Sequence, residues 1–232
     1  MTADPKIVPK AYTVDCMSYE EAMELAFFGA KVLHPYTMVP AFEKGIPIRI
    51  KNTLNPESPG TVITDSAGVK ETPITGIAAI EDVALVNVEG GGMQGIPGFA
   101  ARIFSAFAGS RVNIIMISQA SSEHSICLVF QGRDVDTVRR ALRSELADEL
   151  ASKRIQDFEF QRDLAIVAVI GENMRGTPGI SGRLFSALGA EKINVLAIAQ
   201  GSSERNISFV IEQSLEQKAL RCIHRAFLEG NT

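Results

Sequence analysis

The 232-residue sequence predicts an α+β fold: two ferredoxin-like βαββαβ modules packed together, preceded by an α/β segment of different character. Three observations predict it. Shifted by 81 residues, 84–131 fall on 165–212 without a gap, with 20 identities in 48 positions. Each copy runs strand, helix, strand, strand, helix, and a further strand closes the pattern, which is the split-βαβ order with two helices on one face of a sheet. The first 73 residues share nothing with the repeat.

The elements follow in order. Ser18-Tyr19-Glu20-Glu21 is a capping box, with glutamate three residues after the cap. It predicts a helix to about Leu33, ended by Pro35. A second short helix ends at Gly45, and 46–50 read as a strand. Residues 53–73 are rich in proline, glycine and small polar residues, so 61–73 read as a linker after a first segment at 1–60. Residues 74–80 are a strand. In the repeat, 84–88 and 165–169 are short apolar runs and read as strands. Helices follow, with Phe99, Ile103, Phe104 and Phe107 on one face in the first copy and Ile180, Leu184, Phe185 and Leu188 in the second. Residues 113–118 and 193–199 are buried strands, and 126–130 and 207–211 return as hairpins. A second amphipathic helix closes each copy, and 155–160 add a strand after the first.

Composition removes several classes of function. Lys+Arg is 23 and Asp+Glu is 27, a net charge of −4, so no excess of cations exists for non-specific nucleic-acid binding. No apolar run reaches the roughly 18 residues of a membrane span. The first six residues carry an acid and a proline where a secretory signal needs cations and then an apolar stretch. Cys16, Cys127 and Cys222 are sparse, odd in number and far apart, which points to a reduced, cytoplasmic protein without a metal site.

Gly90-x-Gly92-x-x-Gly95 fits the letters of a dinucleotide fingerprint. No acid ends the following strand to bind a ribose, and the second copy has Asn173 at the middle glycine. A turn before a helix also exposes N–H groups beside the positive end of the dipole, where a small carboxylate fits. Gly95 and Gly98 allow close approach, Asn113 and Gln119 offer amides, and Ser121 and Glu123 offer acceptors for an ammonium or hydroxyl. The same residues would also serve a purely structural turn, and the pattern alone does not choose. Catalytic candidates are weak. His124 and Cys127 point to opposite faces of a strand, His34 reads as a helix-end residue, and Glu20-Glu21 read as a solvated helix face.

Longer stretches resemble a known family. Thr2-Ala3-Asp4-Pro5-Lys6, Phe28-Gly29-Ala30-Lys31-Val32-Leu33-His34-Pro35 and Lys51-Asn52-Thr53, with Gly95-Ile96-Pro97-Gly98 and the doubled Gln119-Ala120-Ser121-Ser122-Glu123 and Gln200-Gly201-Ser202-Ser203-Glu204, are similar to the C-terminal region of aspartate kinase. That region carries tandem ACT domains. The family's enzyme transfers the γ-phosphate of ATP, with Mg²⁺, to the β-carboxylate of aspartate. Its catalytic signature is absent here, so the resemblance implies no catalytic residue, no cofactor and no kinase activity for this stretch alone. Residues 1–60 resemble the last segment of the amino-acid kinase domain, touching nucleotide through Lys6, Lys31 and Val32. Lysine at position 6 departs from the family's arginine. The resemblance implies a first ACT domain at 83–161 inserted into a second at 74–81 plus 162–232.

It also implies a homodimer through first ACT domains, with an inhibitory amino acid at their interface. Carried over, that site is Met93, Gly95, Ile96, Pro97, Gly98, Phe99, Ala100, Asn113, Ile114, Gln119, Ser121 and Glu123. Met174, Asn194 and Gln200 form a possible second site. Lysine-sensing relatives place an aspartate where Ile115 stands, and 112–119 contain no acid. An unpaired ammonium beside Ile115 is costly, so L-threonine is expected before L-lysine. The alternative is a free-standing ACT sensor acting on a partner protein. The residues 227–232, just past the last helix, favour a kinase standing alone over one fused to homoserine dehydrogenase.

Overall fold

A computed structural model of the chain describes residues 1–29, 32–68, 71–93, 97–119 and 124–230. It divides into two compact units, one made of 1–80 with 166–232 and the other of 81–165.

The contiguous unit follows the predicted order. Strand β4 (Gly76–Glu89) enters it, α3 (Phe99–Gly109) crosses over, and β5 (Ile114–Gln119) and β6 (Ser125–Gln131) form a hairpin. Helices α4 (Val135–Glu145) and α5 (Ala147–Ala151) lead to β7 (Glu159–Ile170). The strand order is β5-β6-β4-β7. Alternate residues Ala84, Val86 and Val88 of β4 and Ile126, Leu128 and Phe130 of β6 face Ile103 and Phe107 of α3 and Val138 and Leu142 of α4. Period two on the strands thus meets period 3.6 on the helices, which is why a sequence of this pattern makes one core.

The other unit repeats the plan. The second half of β7 is followed by α6 (Ile180–Ala190), β8 (Ala197–Gln200), β9 (Asn206–Glu212) and α7 (Glu216–Leu228). Its order is β4-β7-β9-β8, so the first half of β4 supplies the fourth strand. Thr75 N–H bonds to Ile170 C=O at 2.7 Å, which sets that antiparallel pairing. The amino-terminal segment shares this unit. Ala3 and Val8 lie in the same core as Val167, Phe209, Leu220 and Ile223. A small sheet of order β1-β3-β2 (Cys16–Ser18, Thr61–Thr64, Ile48–Ile50) packs beside α1 (Tyr19–Phe27) and α2 (Pro35–Glu43).

Several expectations need correction. Helix α1 stops at Phe27 rather than near Leu33, because Gly29 sits at φ 104, a conformation that ends helices. Pro35 opens α2 instead of closing α1. It occupies the first helical turn, where a missing N–H costs nothing, and His34 is the N-cap. The stretch read as a linker at 61–73 contains β3, the central strand of the small sheet. The run at 193–199 is strand only from Ala197. The glycines that opened each supposed fingerprint have a packing role: a Cβ on Gly90 would meet Arg154 O at 2.5 Å, and one on Gly171 would meet Pro73 O at 2.4 Å.

That close approach is testable. Gly171→Ala should lose about 1–3 kcal/mol in chemical denaturation, since the overlap is with backbone. Gly182→Ala, in α6 with nothing within 4 Å, should be neutral or gain a few tenths. Equal stability of Gly171→Ala and wild type would refute the approach.

Candidate functional site

The strongest candidate lies where β4 ends and α3 begins. Residues 91–93 form a single 3-10 turn whose Met93 is buried in the module core. Gly98, the N-cap of α3, is left-handed at φ 83 and has no side chain with which to cap the helix. Pro97 is exposed, Phe99 is buried, and Ala100 is half-buried. The first N–H groups of α3 therefore lie beside the positive end of the helix dipole with no cap from their own N-cap residue. Gln94, Gly95 and Ile96, and likewise Ser121, Glu123 and Lys31, lie outside the described residues.

Register decides which partners reach this turn. Ile126 pairs with Val88 on one side and with Gln119 on the other. Gln119, exposed at the end of edge strand β5, therefore stands at the same end of the sheet as the turn. Asn113 and Ile114 do not. Ile114 pairs with Phe130, which pairs with Ala84, at the far end of the sheet. Five residues of strand separate Ile114 from Gln119, roughly 17 Å. Ile115 falls at a bulge, between Ile114 and Met116.

The second copy repeats this geometry among the described residues. Gly179 is left-handed at φ 89 before α6, Met174 is buried, and Gln200 ends edge strand β8 opposite Ile207. Asn194 is exposed in the connection before β8. Here the Gly176 N–H donates to Glu204 Oε2 at 2.7 Å. Glu204 thus acts as an anion on the turn, where its type had suggested only an acceptor for ligand. An open cleft of about 740 Å³ adjoins this turn, lined by Glu172, Arg175, Thr177, Gly179 and Arg183 among others.

Polar residues that the sequence reading passed over are buried nearby. Glu21, read as solvated, is 1% exposed and accepts from Ser18 N–H at 2.9 Å, Glu172 N–H at 2.9 Å and the Thr75 hydroxyl. The capping-box letters announced the first bond; nothing local announces the other two. His224 is fully buried between Thr2 Oγ1 and Glu229 Oε1, each at 3.0 Å. Lys10 and His224 hold the Glu229 carboxyl below its ordinary value. Burial pushes the Cys127 thiol up to about 11, which disfavours a nucleophilic role. Val32 is exposed and lines a largely apolar cleft of about 290 Å³ with Leu25, Leu33, Met38 and Ile63; Lys6 is exposed and is not among its lining residues. Among the described residues Met1 and Lys51 bring cationic groups to that cleft. Among the described residues no cluster of three metal-ligating side chains occurs, and no helix is long and apolar enough to cross a membrane.

Family comparison fits this geometry. The ACT domain model matches 86–146 and again 167–227, two spans 81 residues apart, and the amino acid kinase family model matches 1–52. The chain belongs to the ACT domain family. Its sequence and fold are those of the aspartokinase region that carries two ACT domains behind a short amino-acid kinase segment. A bifunctional aspartokinase/homoserine dehydrogenase of Arabidopsis thaliana, named as chloroplastic, is 44% identical over 236 residues. That match takes in all of this chain and 26% of the relative, so the chain spans about a quarter of its length. Clostridium acetobutylicum aspartate kinase superposes with a TM-score of 0.86 at 32% identity, over 98% of this chain and 52% of that one. E. coli aspartokinase III in complex with lysine and aspartate gives 0.74 at 27% identity, over 98% and 49%. The Arabidopsis relative is a fused enzyme, so this similarity lends no support to a kinase standing alone.

Helix α3, which presents the first turn, is clamped by Arg102. Its guanidinium meets Glu149 at 2.6 Å and Glu145 at 3.0 Å. The hydrogen bond from Arg102 holds the buried Glu149 carboxyl below its ordinary value of 4.5. A depressed carboxyl contributes stability above its unfolded value and loses it as pH falls through the folded one. Wild type should therefore weaken progressively below about pH 4.5. Glu149→Gln should be weaker near neutral pH and show a flatter acid limb when unfolding is followed by circular dichroism against pH.

Proposed function

We propose that this chain is the feedback-sensing region of an aspartate kinase, and that it binds L-threonine at the first ACT domain. In this reading 83–161 form the first ACT domain, 74–81 with 162–232 form the second, and 1–60 are the end of the kinase domain. One observation supports it: by register Gln119 stands at the end of the sheet where β4 ends, ahead of the uncapped start of α3. The turn N–H groups, with Gly95 among them, receive the ligand carboxylate, and Gln119 reads its hydroxyl. Ser121 and Glu123 receive the ammonium.

Dimerisation completes the site. β5 is an edge strand, and an exposed edge pairs readily with another. Antiparallel pairing of two β5 edges brings Asn113 and Ile114 of a second copy toward the Gln119 end of the first. Their distance from the turn within one chain is then no objection. The second-copy residues Met174, Asn194 and Gln200 form a further site. Threonine needs only neutral hydrogen bonds at its side chain, whereas lysine would set an ammonium near the bulged, uncharged Ile115. In the longer protein, a ligand that prefers one dimer arrangement shifts the population toward it and lowers phosphate transfer from ATP to aspartate. Packing of Ala3 and Val8 into the second unit's core supports this over a free-standing sensor, since the kinase segment is structurally bound to the sensing fold. A reduced, cytoplasmic-type setting fits the three free cysteines.

Calorimetric titration of the 232-residue chain tests it. Threonine should release heat at one site per chain or per half-dimer, and Gln119→Ala should reduce affinity at least about tenfold, as expected when a buried hydrogen bond is lost. Heat from lysine alone would overturn the threonine assignment. Silence from both would overturn ligand binding by this region.

A further inference from the structure

Helix α1 belongs to the kinase-like segment, yet its carboxylates are spent on the second module. Glu21 reaches across to the Glu172 N–H, the first residue of the 3-10 turn 172–174 that carries Met174. Glu24, one helical turn on, accepts from Asn206 Nδ2 at 2.7 Å. Asn206 opens β9, two residues after Glu204, whose carboxylate holds Gly176 on the same turn. The two carboxylates therefore grip both chain segments that frame the second turn. Arg205, between them, lies 3.5 Å from Glu172.

The bonds are built for coupling more than for strength. Glu21 is buried at 1% exposure, so its charge is tolerated only while its donors stay in place. Three of those donors come from separate segments: Ser18 of the helix cap, Thr75 ahead of β4, and Glu172 of the turn. If the turn rearranges, Glu21 loses a donor and its own helix cap is disturbed. Glu204, in the connection between β8 and β9, sits at φ 55, an uncommon left-handed conformation for glutamate.

We propose that Glu21, with Glu24 as a parallel tie, is the positioning residue through which the state of the second module's turn is transmitted to helix α1 of the kinase segment. The physiological meaning rests on reading that turn as a ligand site. The coupling itself is a property of the ligand-free chain, so silence in a threonine titration and absence of coupling are separate results. Coupling of this kind is reciprocal: whatever opens the turn loosens α1, and whatever loosens the Glu21 grip opens the turn.

Amide hydrogen exchange on the 232-residue chain tests this through a mutant cycle. Glu204→Ala perturbs the turn from its far side. In the otherwise wild-type chain it should speed exchange about tenfold at 172–176 and measurably at 19–25, as loss of one bond to a charged group implies. In Glu21→Gln the effect at 19–25 should shrink, and in Glu21→Gln/Asn206→Ala it should vanish, while 172–176 still respond. Ser18→Ala removes the helix cap without touching the Glu172 bond, so it should leave the transmitted effect in place. A merely structural Glu21 would make Ser18→Ala behave like Glu21→Gln, and that result would overturn the proposal. So would a Glu204→Ala effect that never reaches 19–25, or one that persists in the double variant. If Glu21→Gln does not fold, as judged by circular dichroism, Asn206→Ala alone replaces it: with the Glu24 tie cut, the Glu204→Ala effect at 19–25 should shrink while 172–176 still respond, and an unchanged effect would overturn the proposal.

Discussion

A βαββαβ sheet puts its first strand in the interior, so that strand needs a neighbour on both sides and the fourth strand must come from somewhere. In the unit that contains 166–232, the fourth position is taken by the first half of β4, about ninety residues upstream of the strand it pairs with. Much else depends on that pairing. It brings the segment before β4 into the same compact unit, because residues 1–75 lead directly into the strand. It requires Gly171, since Pro73 and Ile74 pass within 2.4–2.6 Å of where a Cβ would lie. It also sets Thr75 against Glu21, so the buried carboxylate and the sheet closure are parts of one arrangement. The module between, 81–165, is contiguous because nothing needs to be borrowed for it.

The repeat made the architecture legible before any element was placed, since two copies of one hydrophobic pattern cannot sensibly adopt two folds. Periodicity then gave the core: the strand residues Ala84, Val86 and Val88 and the helix residues Ile103 and Phe107 were readable by spacing and are buried together. Boundaries were less legible because proline is ambiguous. Pro35 is incompatible with continuing α1 and equally compatible with starting α2, and the left-handed Gly29 decided between them. Strand β3 was hidden in a turn-rich stretch, because four residues of Thr-Val-Ile-Thr are too few to show a period. Left-handed Arg111 and Lys192, and Asp82 and Asp163, recur 81 residues apart without any glycine to mark them.

The residue types of the candidate site were legible and their arrangement was not. Glycines before a helix, amides on the next strand and a closing Ser-Ser-Glu are compatible with recognition of a small polar anion and equally with a structural turn. Only strand register separates Gln119, at the turn's end of the sheet, from Asn113 and Ile114, at the other end. The buried polar groups were the least legible. Glu21 looks like any first-turn acid, because its value comes from Thr75 and Glu172, 54 and 151 residues away. His224 looks like one more polar residue on an amphipathic helix until Thr2 and Glu229 close around it. Long-range satisfaction of a buried charge leaves no mark in local pattern.

Duplication gives two modules the same turn, yet their surroundings have diverged in ways that matter for an anion. Arg102 on α3 is committed to Glu145 and Glu149, whereas its counterpart Arg183 on α6 stacks its guanidinium over Phe227 at 4.8 Å. Among the described residues Arg183 has no ion-pair partner, and it borders the cleft at the second turn. In that same turn Glu204 already occupies the Gly176 N–H. Arg175 lines the same cleft. Asn206, two residues past Glu204, donates to Glu24 of helix α1. The Glu21 and Glu24 bonds thus make the 172–176 turn, the start of β9 and helix α1 of the kinase-like segment parts of one hydrogen-bonded arrangement.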